Sequence, residues 1–426
     1  MTSGSATATG SGGKRHAHAT QILVVLALTN LVAYAARNAL FVVVPTLKQR
    51  FGIDDAEVGL LQTVYMLPHA AATLPFGWAG DRYDRRRVII VGMVLASFAG
   101  AAGALGHSYV GLSISRGLVG LGTAAVVPVA NSILSEIFEG PHKASRLSIF
   151  NLGLFLGGVA GFAVGIAVGF PLVVIVLAVP AFALAAVLAG LDVPRHRTPP
   201  PDVVWYRYLA QVASHFLSEV YVLVRIRTLR WIIASATAMS FAGGGYTAWL
   251  KELLTREKHL SEKQASTLLA LSLFGGLGGI LTGGRVADML RRKSISGRLW
   301  TSVIGMLCTI PCAALAIELP NSAALYVAGI ATLYFFSWYH APIAASVDDL
   351  APPARSVAAQ GLVIFTMHMV GTAPSSWVVG EVSQHTSLKI AMWVPTVALG
   401  VGAACMAIAT TGFAADHKRA RAGDRA

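Results

Sequence analysis

Two arginines stand inside stretches otherwise too apolar to carry a charge. Arg37 falls in the run 21–46 and Arg116 in the run 109–135. A charge at the centre of a spanning helix costs about 2.5–3.5 kcal/mol even on the mildest scale, so it persists where it faces a cavity or a partner. On a helix, Asn30, Tyr34 and Arg37 share a face because steps of four and three keep to one side. Arg116 and Thr123, seven apart, share one too. Arginine's planar fork donates two hydrogen bonds at once, which suits a phosphate or carboxylate. The pair could therefore hold an anionic headgroup while aliphatic walls take an acyl or ring portion. The plainer alternative is that either arginine bonds backbone carbonyls or snorkels to the membrane surface.

Histidine is the other chemistry-bearing type. His69, His340 and His368 lie inside apolar runs. An imidazole titrates near neutrality, so each is a candidate proton carrier, although an intramembrane histidine can equally be a hydrogen-bonded packing group.

The elements that must position these groups follow from composition. The chain has 426 residues, of which 55% are hydrophobic and 12% charged. A soluble globular chain carries about 25% charged residues, so this composition describes a polytopic membrane protein. Twelve runs are long enough to span: 21–46, 56–77, 87–107, 109–135, 146–168, 170–191, 229–252, 264–284, 298–318, 322–346, 356–380 and 387–412. Residues 1–19 are expected to be a disordered tail with no signal-peptide apolar region; His16 and His18 belong to it. Cys308, Cys312 and Cys405 fall in apolar runs and read as small packing residues.

The net charge of +13 could suggest nucleic acid, but the charges lie in short loops between spans. With both termini cytoplasmic, the inner segments hold 24 of the 33 Lys and Arg, the outer loops seven, and Arg37 and Arg116 are the other two. That asymmetry fits an even number of spans. Both arginines then lie in the outer halves of their spans. The expected location is the inner (cell) membrane of a bacterium.

The one long connection is 192–228. Pro194, Pro199, Pro200 and Pro201 open it, and 203–224 reads as an amphipathic surface helix with Trp205, Tyr206 and Tyr208 at headgroup level. It divides the chain into a six-span bundle over 20–191 and a second over 229–412, with a cytoplasmic tail at 413–426. Glycine adds a second pattern. Gly153, Gly157, Gly161, Gly165 and Gly169 are four apart, as are Gly275, Gly279 and Gly283. Small residues on one face admit a close helix, either as a static seam or as a surface on which bundles slide.

A short charged connection carries a repeat. Gly77, Asp81, Arg82, Arg85 and Arg86 end one apolar run and open the next; Gly284, Asp288 and Arg291 do the same in the second half. Glu136 and Asp349 hold comparable places at the ends of the fourth and tenth runs, as candidate partners for the arginine clusters. Lys251 and Glu252 end the seventh run at the outer face and read as rim charges or an exterior latch.

Twelve spans, a six-plus-six repeat, the long central loop and the two Gly-x-x-x-Asp hinges resemble the major facilitator superfamily across residues 20–412. The resemblance implies an all-α integral membrane protein with two pseudo-symmetric six-helix bundles. It also implies alternating access about a central cavity lined by the first and fourth spans, and a cytoplasmic gate at Gly77, Asp81, Arg82, Arg85, Arg86, Glu136, Gly284, Asp288, Arg291 and Asp349. The first hinge has Asp84 where glycine is usual, and the second has Met289 where arginine is usual.

Several stretches are similar to the spinster (Spns) branch: 30–37, 80–85, Gly243, Gly244 and Gly245 ahead of Trp249, and 364–375. That branch is associated with export of lysophospholipids and sphingolipid-like molecules. The resemblance implies substrate contact at Asn30, Tyr34, Arg37, Arg116, Thr123, Trp249, His368 and Thr372. Where the branch usually has carboxylates, this chain has Ala36, Thr123 and Thr372. His368, one turn before Thr372, is then first in line to carry a proton, or transport runs without proton coupling.

The expected function is therefore a secondary transporter that exports an amphipathic or anionic organic compound. Its partners would be a small-molecule or lipid substrate, the bilayer and, as a candidate coupling ion, the proton. A multidrug-type exporter and a transporter-like sensor that binds without turnover are the competing readings. No Walker loop, His-Glu-x-x-His, Gly-x-Ser-x-Gly or metal-spaced Cys/His cluster occurs, so neither a cofactor nor enzymatic activity is expected.

Overall fold

The computed structural model describes residues 8–138, 143–193, 220–351 and 355–422, with isolated positions at 207, 210, 214 and 218. Most of the expected amphipathic surface helix at 203–224 lies outside them. The described residues are helical throughout, without strands. In chain order the helices are α1 (Ala8–Asn38), α2 (Val44–Phe51), α3 (Asp55–Arg82), α4 (Arg85–Leu105), α5 (Tyr109–Thr123), α6 (Val126–Ile137), α7 (Lys143–Val168) and α8 (Leu172–Gly190). The second half holds α9 (Arg227–Glu252), α10 (Glu262–Lys293), α11 (Gly297–Glu318), α12 (Ala323–Phe336), α13 (His340–Leu350), α14 (Ser356–Thr366), α15 (Ala373–His385), α16 (Leu388–Ala391) and α17 (Trp393–Ala422).

Among the described residues, nine spans qualify on length and apolarity alone. The helices α3 and α9, and the pair α12 and α13, complete the twelve. Five expected spans are not continuous α-helices: the first passes into a 3-10 turn at Ala39–Val42, and the twelfth is interrupted at Met392 between α16 and α17. The fourth breaks at Ala124 and Ala125, between α5 and α6. The tenth passes through a 3-10 turn at Ser337–Tyr339, and the eleventh through a π-helix at Met367–Thr372. The first helix begins at Ala8, inside the stretch expected as a tail, and His18 Nε2 lies 2.7 Å from the carbonyl of Asp192.

The chain forms two compact units. The first comprises Met1–Thr46 and Pro68–Trp205; the second comprises Leu47–Leu67 and Tyr206–Ala426. Helix α3 therefore begins in the second unit and passes into the first at Pro68. That proline cannot donate to the helix ladder and makes the crossing point a natural bend.

The glycine rows settle where close approach is used. A Cβ on Gly153, Gly157 or Gly161 would strike the backbone of α1 at Ala27, Leu31 and Ala35, within the first unit. On Gly275, Gly279 and Gly283 it would strike α12 and the turn after it at Ile330, Tyr334 and Trp338, within the second. Both rows are packing seams inside one unit. The reading of these glycines as a surface on which bundles slide is corrected accordingly. Gly169 takes no part in the seam; its φ of +67° closes the turn into α8.

Candidate functional site

In the first unit the polar groups converge where α1, α3 and α5 meet. Helix α1 gives way to a 3-10 turn at Ala39–Val42, which leaves the carbonyls of its last turn without α-helical donors. Arg116 supplies them: Nη1 donates to Ala36 O at 3.3 Å and Nη2 to Arg37 O at 3.2 Å. A cation at a helix C-terminus also opposes the negative end of the dipole. Arg116 is buried, at 6% exposure, and two of its nitrogens serve the backbone. Arg37 sits over the Tyr34 ring, its guanidinium 5.7 Å from the centroid.

Thr123 occupies one of the places where the spinster resemblance leads one to expect a carboxylate. Its hydroxyl bonds back to Val119 O at 2.9 Å, and His69 Nδ1 lies 3.2 Å from it and 3.1 Å from Gly120 O. A carbonyl can only accept, so Nδ1 carries a proton in this arrangement. His69 is also close enough to Arg37 for that charge to act on it. This link from α3 to α5 was not legible in the sequence, since 54 residues separate its ends. Asn30 is 1% exposed and donates to Phe150 O at 3.1 Å. Beside this group, an apolar cavity between α1, α4, α5 and α8 is lined by Ala33, Ala36, Met93, Ala178 and other apolar residues, with Arg116 and Thr123 among its polar lining.

The second unit has its own polar seam. Thr372 closes the π stretch, its hydroxyl 2.6 Å from that of Ser240 on α9. The amide of Ala373 donates to His368 O, five residues back, so His368 opens the widened turn that Thr372 closes. Gly371 lets α9 approach at Thr237. Trp249 is fully enclosed, and its indole N–H donates to Ser376 O at 2.9 Å. It packs α9 on α15 and presents no surface to an open space. The candidate site residues thus fall into two groups. Tyr34, Arg37, Arg116 and Thr123 lie in one unit with His69, where Asn30 is turned into the seam with α7; His368 and Thr372 stand together in the other.

The charged connections form two brackets. In the first unit Arg85 Nη1 meets Glu136 Oε2 at 2.6 Å. Asp84, the departure from the usual glycine, caps α4 by accepting from the amide of Arg86 at 3.0 Å. Arg86 Nη1 then reaches the carbonyls of Ala189 and Leu191 at 2.9 and 2.8 Å, where α8 ends. In the second unit Asp349 accepts from Arg298 at 2.7 Å and lies 4.0 Å from Arg291. Arg298 is a partner the sequence reading missed. Gly77 and Gly284 both face open space. Asp288 lies on α10, near its charged end. The side chains of Asp81, Arg82 and His340 lie outside those described.

At the opposite end, Asp55 is 2% exposed and sits among cations. Lys48 Nζ donates to it at 2.8 Å, Arg256 Nη1 at 2.9 and 3.0 Å, and Ser383 Oγ at 2.7 Å. Burial pushes its carboxyl up, but the bonds from Lys48, Ser383 and Arg256 outweigh burial and hold it below the usual carboxylate range.

Comparison with known proteins places these features. The major facilitator superfamily model matches residues 26–376. Protein spinster homolog 3 of Danio rerio is 26% identical over 405 residues, covering 86% of this chain and 77% of its own. Sphingosine-1-phosphate transporter SPNS2 of Mus musculus is 25% identical over 387 residues, covering 84% and 69%. Among solved structures, a bacterial homolog to the human lysosomal transporter Spinster, in inward-facing and unoccupied conformation, superposes with a TM-score of 0.78 at 18% identity, over 94% of this chain and 98% of that one. The nucleoside transporter NupG (D323A mutant) follows the same fold at 0.73 and 13% identity, over 93% and 99%.

Proposed function

The chain belongs to the major facilitator superfamily, and from that premise we propose that it exports an amphipathic anion, lysophospholipid-like in build, by alternating access. The fold and its relatives support secondary transport. The carrying observation is that Arg37 with Tyr34, and His69 with Thr123, stand near an apolar cavity whose polar lining includes Arg116 and Thr123. In this reading Arg37 pairs with the anionic headgroup and the aliphatic walls take the chain. Arg116 shapes the site by fixing the last turn of α1. Thr372 and His368 form a polar patch of the second unit.

The Lys and Arg asymmetry supports both termini in the cytoplasm, so in each unit the end bearing its bracket, Arg85 in one and Arg298 in the other, faces inward. There the two brackets hold each bundle's end rigid while the hinge residues gate.

The test is uptake of labelled lysophospholipid into proteoliposomes, with and without a proton gradient. Arg37→Gln is expected to lose flux at unchanged folded yield. Equal flux by that variant would overturn the headgroup assignment, and binding without flux in the parent protein would favour a sensor.

A further inference from the structure

The end of the second unit that the charge asymmetry assigns to the outside holds a buried carboxylate which neither the fold nor the proposed substrate site uses. Glu252 is the last residue of α9 and is 1% exposed. Its Oε1 is buried and accepts no hydrogen bond from any described residue. Four charges act on it: Lys251 on its own helix, Arg256 on the π turn that follows, Asp55 at the start of α3 and Glu262 at the start of α10. Both cations are committed elsewhere. Lys251 Nζ is 2.7 Å from Glu262, and Arg256 bridges the two oxygens of Asp55. From α2, Lys48 also serves Asp55. Helix α15 adds the neutral Ser383 and Gln384 to the cluster, while its Glu381 and His385 pair with each other. On α16, Lys389 is taken by Glu318.

Asp55 is the fastening of a whole segment. Residues 47–67 belong to the second unit, although α3 continues into the first from Pro68. Besides Asp55, that segment is held by Thr63, which donates to Ala373 O at 2.5 Å, and by Gly59, whose missing side chain admits the backbone of Ser376. Of these three contacts the one at Asp55 is ionic, so among them it is the one that a proton can control.

Building on the secondary-transport reading, we propose that Glu252 is a proton-binding site of the transport cycle that works through Arg256. With the proton on Oε1, Glu252 is neutral and Arg256 stays on Asp55. When the proton leaves to water at the outer end, the Glu252 carboxylate draws Arg256 away from Asp55. Arg256 keeps its own charge, one ion pair replaces another, and the segment 47–67 comes off the second unit. A proton is thereby traded for release of α3 without any of the three carboxylates expected from the spinster resemblance.

The experiment reads the segment rather than the substrate. Cys308, Cys312 and Cys405 are replaced by Ala, Val58 (6% exposed, one turn from Asp55) by Cys, and the protein is reconstituted and labelled with an impermeant maleimide over a range of pH. Rates are normalised to a model thiol. Labelling is expected to follow the deprotonated fraction, rising about tenfold per pH unit below the midpoint. Glu252→Gln keeps the low rate at every pH, Asp55→Asn gives the high rate at every pH, and Glu252→Asp moves the midpoint. Labelling that is flat in the parent protein, or that keeps its full pH dependence in Glu252→Gln, overturns the proposal. The Glu252→Asp arm and an infrared titration of the carboxylic-acid band in the parent protein decide the matter if Glu252→Gln does not fold. Loss of this pH dependence with lysophospholipid flux intact would leave the transport reading standing.

Discussion

Arg85 Nη1 lies 2.6 Å from Glu136, fifty-one residues further on, and Arg298 Nη1 lies 2.7 Å from Asp349, again fifty-one residues further on. The offset from Arg85 to Arg298 equals that from Glu136 to Asp349, and it exceeds by six residues the offset from Gly77 to Gly284. The second half inserts its extra residues between hinge and bracket, partly as a longer α10 and partly in the connection after it, and preserves the ion pair. The two brackets differ in burial. The Arg85 side chain is 3% exposed, whereas Arg298 and Asp349 are 27% and 21% exposed.

That difference predicts unequal effects. Glu136→Ala leaves Arg85 buried and unmatched by its carboxylate, which costs about 3 kcal/mol. Asp349→Ala costs about 1 kcal/mol, because water can reach the partner it leaves behind. Thermal melts in detergent should rank the two losses in that order.

Arg37 and Arg116 should separate in the same assay. Arg116→Gln removes donors from the carbonyls of Ala36 and Arg37 and is expected to cost about 1–3 kcal/mol of stability. Arg37→Gln should leave the melting temperature unchanged and remove transport. A stability loss confined to Arg37→Gln would reverse the two roles.

The seams predict where bulk is refused. Gly157→Leu and Gly279→Leu push side chains into the backbone of Leu31 and Tyr334. Each should cost about 3 kcal/mol or prevent folding, whereas Gly77→Ala and Gly284→Ala, with open space around them, should fold normally. Folded yield on size exclusion distinguishes the two sets.

Acid sensitivity follows from Asp55. Its folded-state pKa lies below the ordinary 3.8, so the stability it contributes is fully present above that value and is lost as pH falls through the lower, folded value. Melting temperatures should drop on that acid limb, and Asp55→Asn should flatten it.

The spans were legible because lipid demands long apolar runs, and the hinge because its charges interrupt them. Their interruptions were not legible. The break at Ala124, the 3-10 turn at Ser337 and the π stretch at Met367–Thr372 are settled by neighbouring helices rather than by local propensity. The four-residue glycine spacing defined a face but not its partner, which proved to lie in the same unit. His69 and Thr123 meet across 54 residues, and nothing in either segment announces the other. Arg298 could have been found from equal spacing, since it stands to Asp349 as Arg85 stands to Glu136.

The seam between α1 and α7 also sets an order of birth. Asn30 waits 120 residues for the carbonyl of Phe150, and Leu31 and Ala35 wait for their glycines on the same helix. While the ribosome makes the five intervening helices, α1 must stand in the bilayer with the Asn30 amide lacking its acceptor on α7. The completion of that seam therefore waits until α7 arrives, and a stop placed before Lys143 would leave α1 with the contacts of α5 but without its partner in the glycine seam.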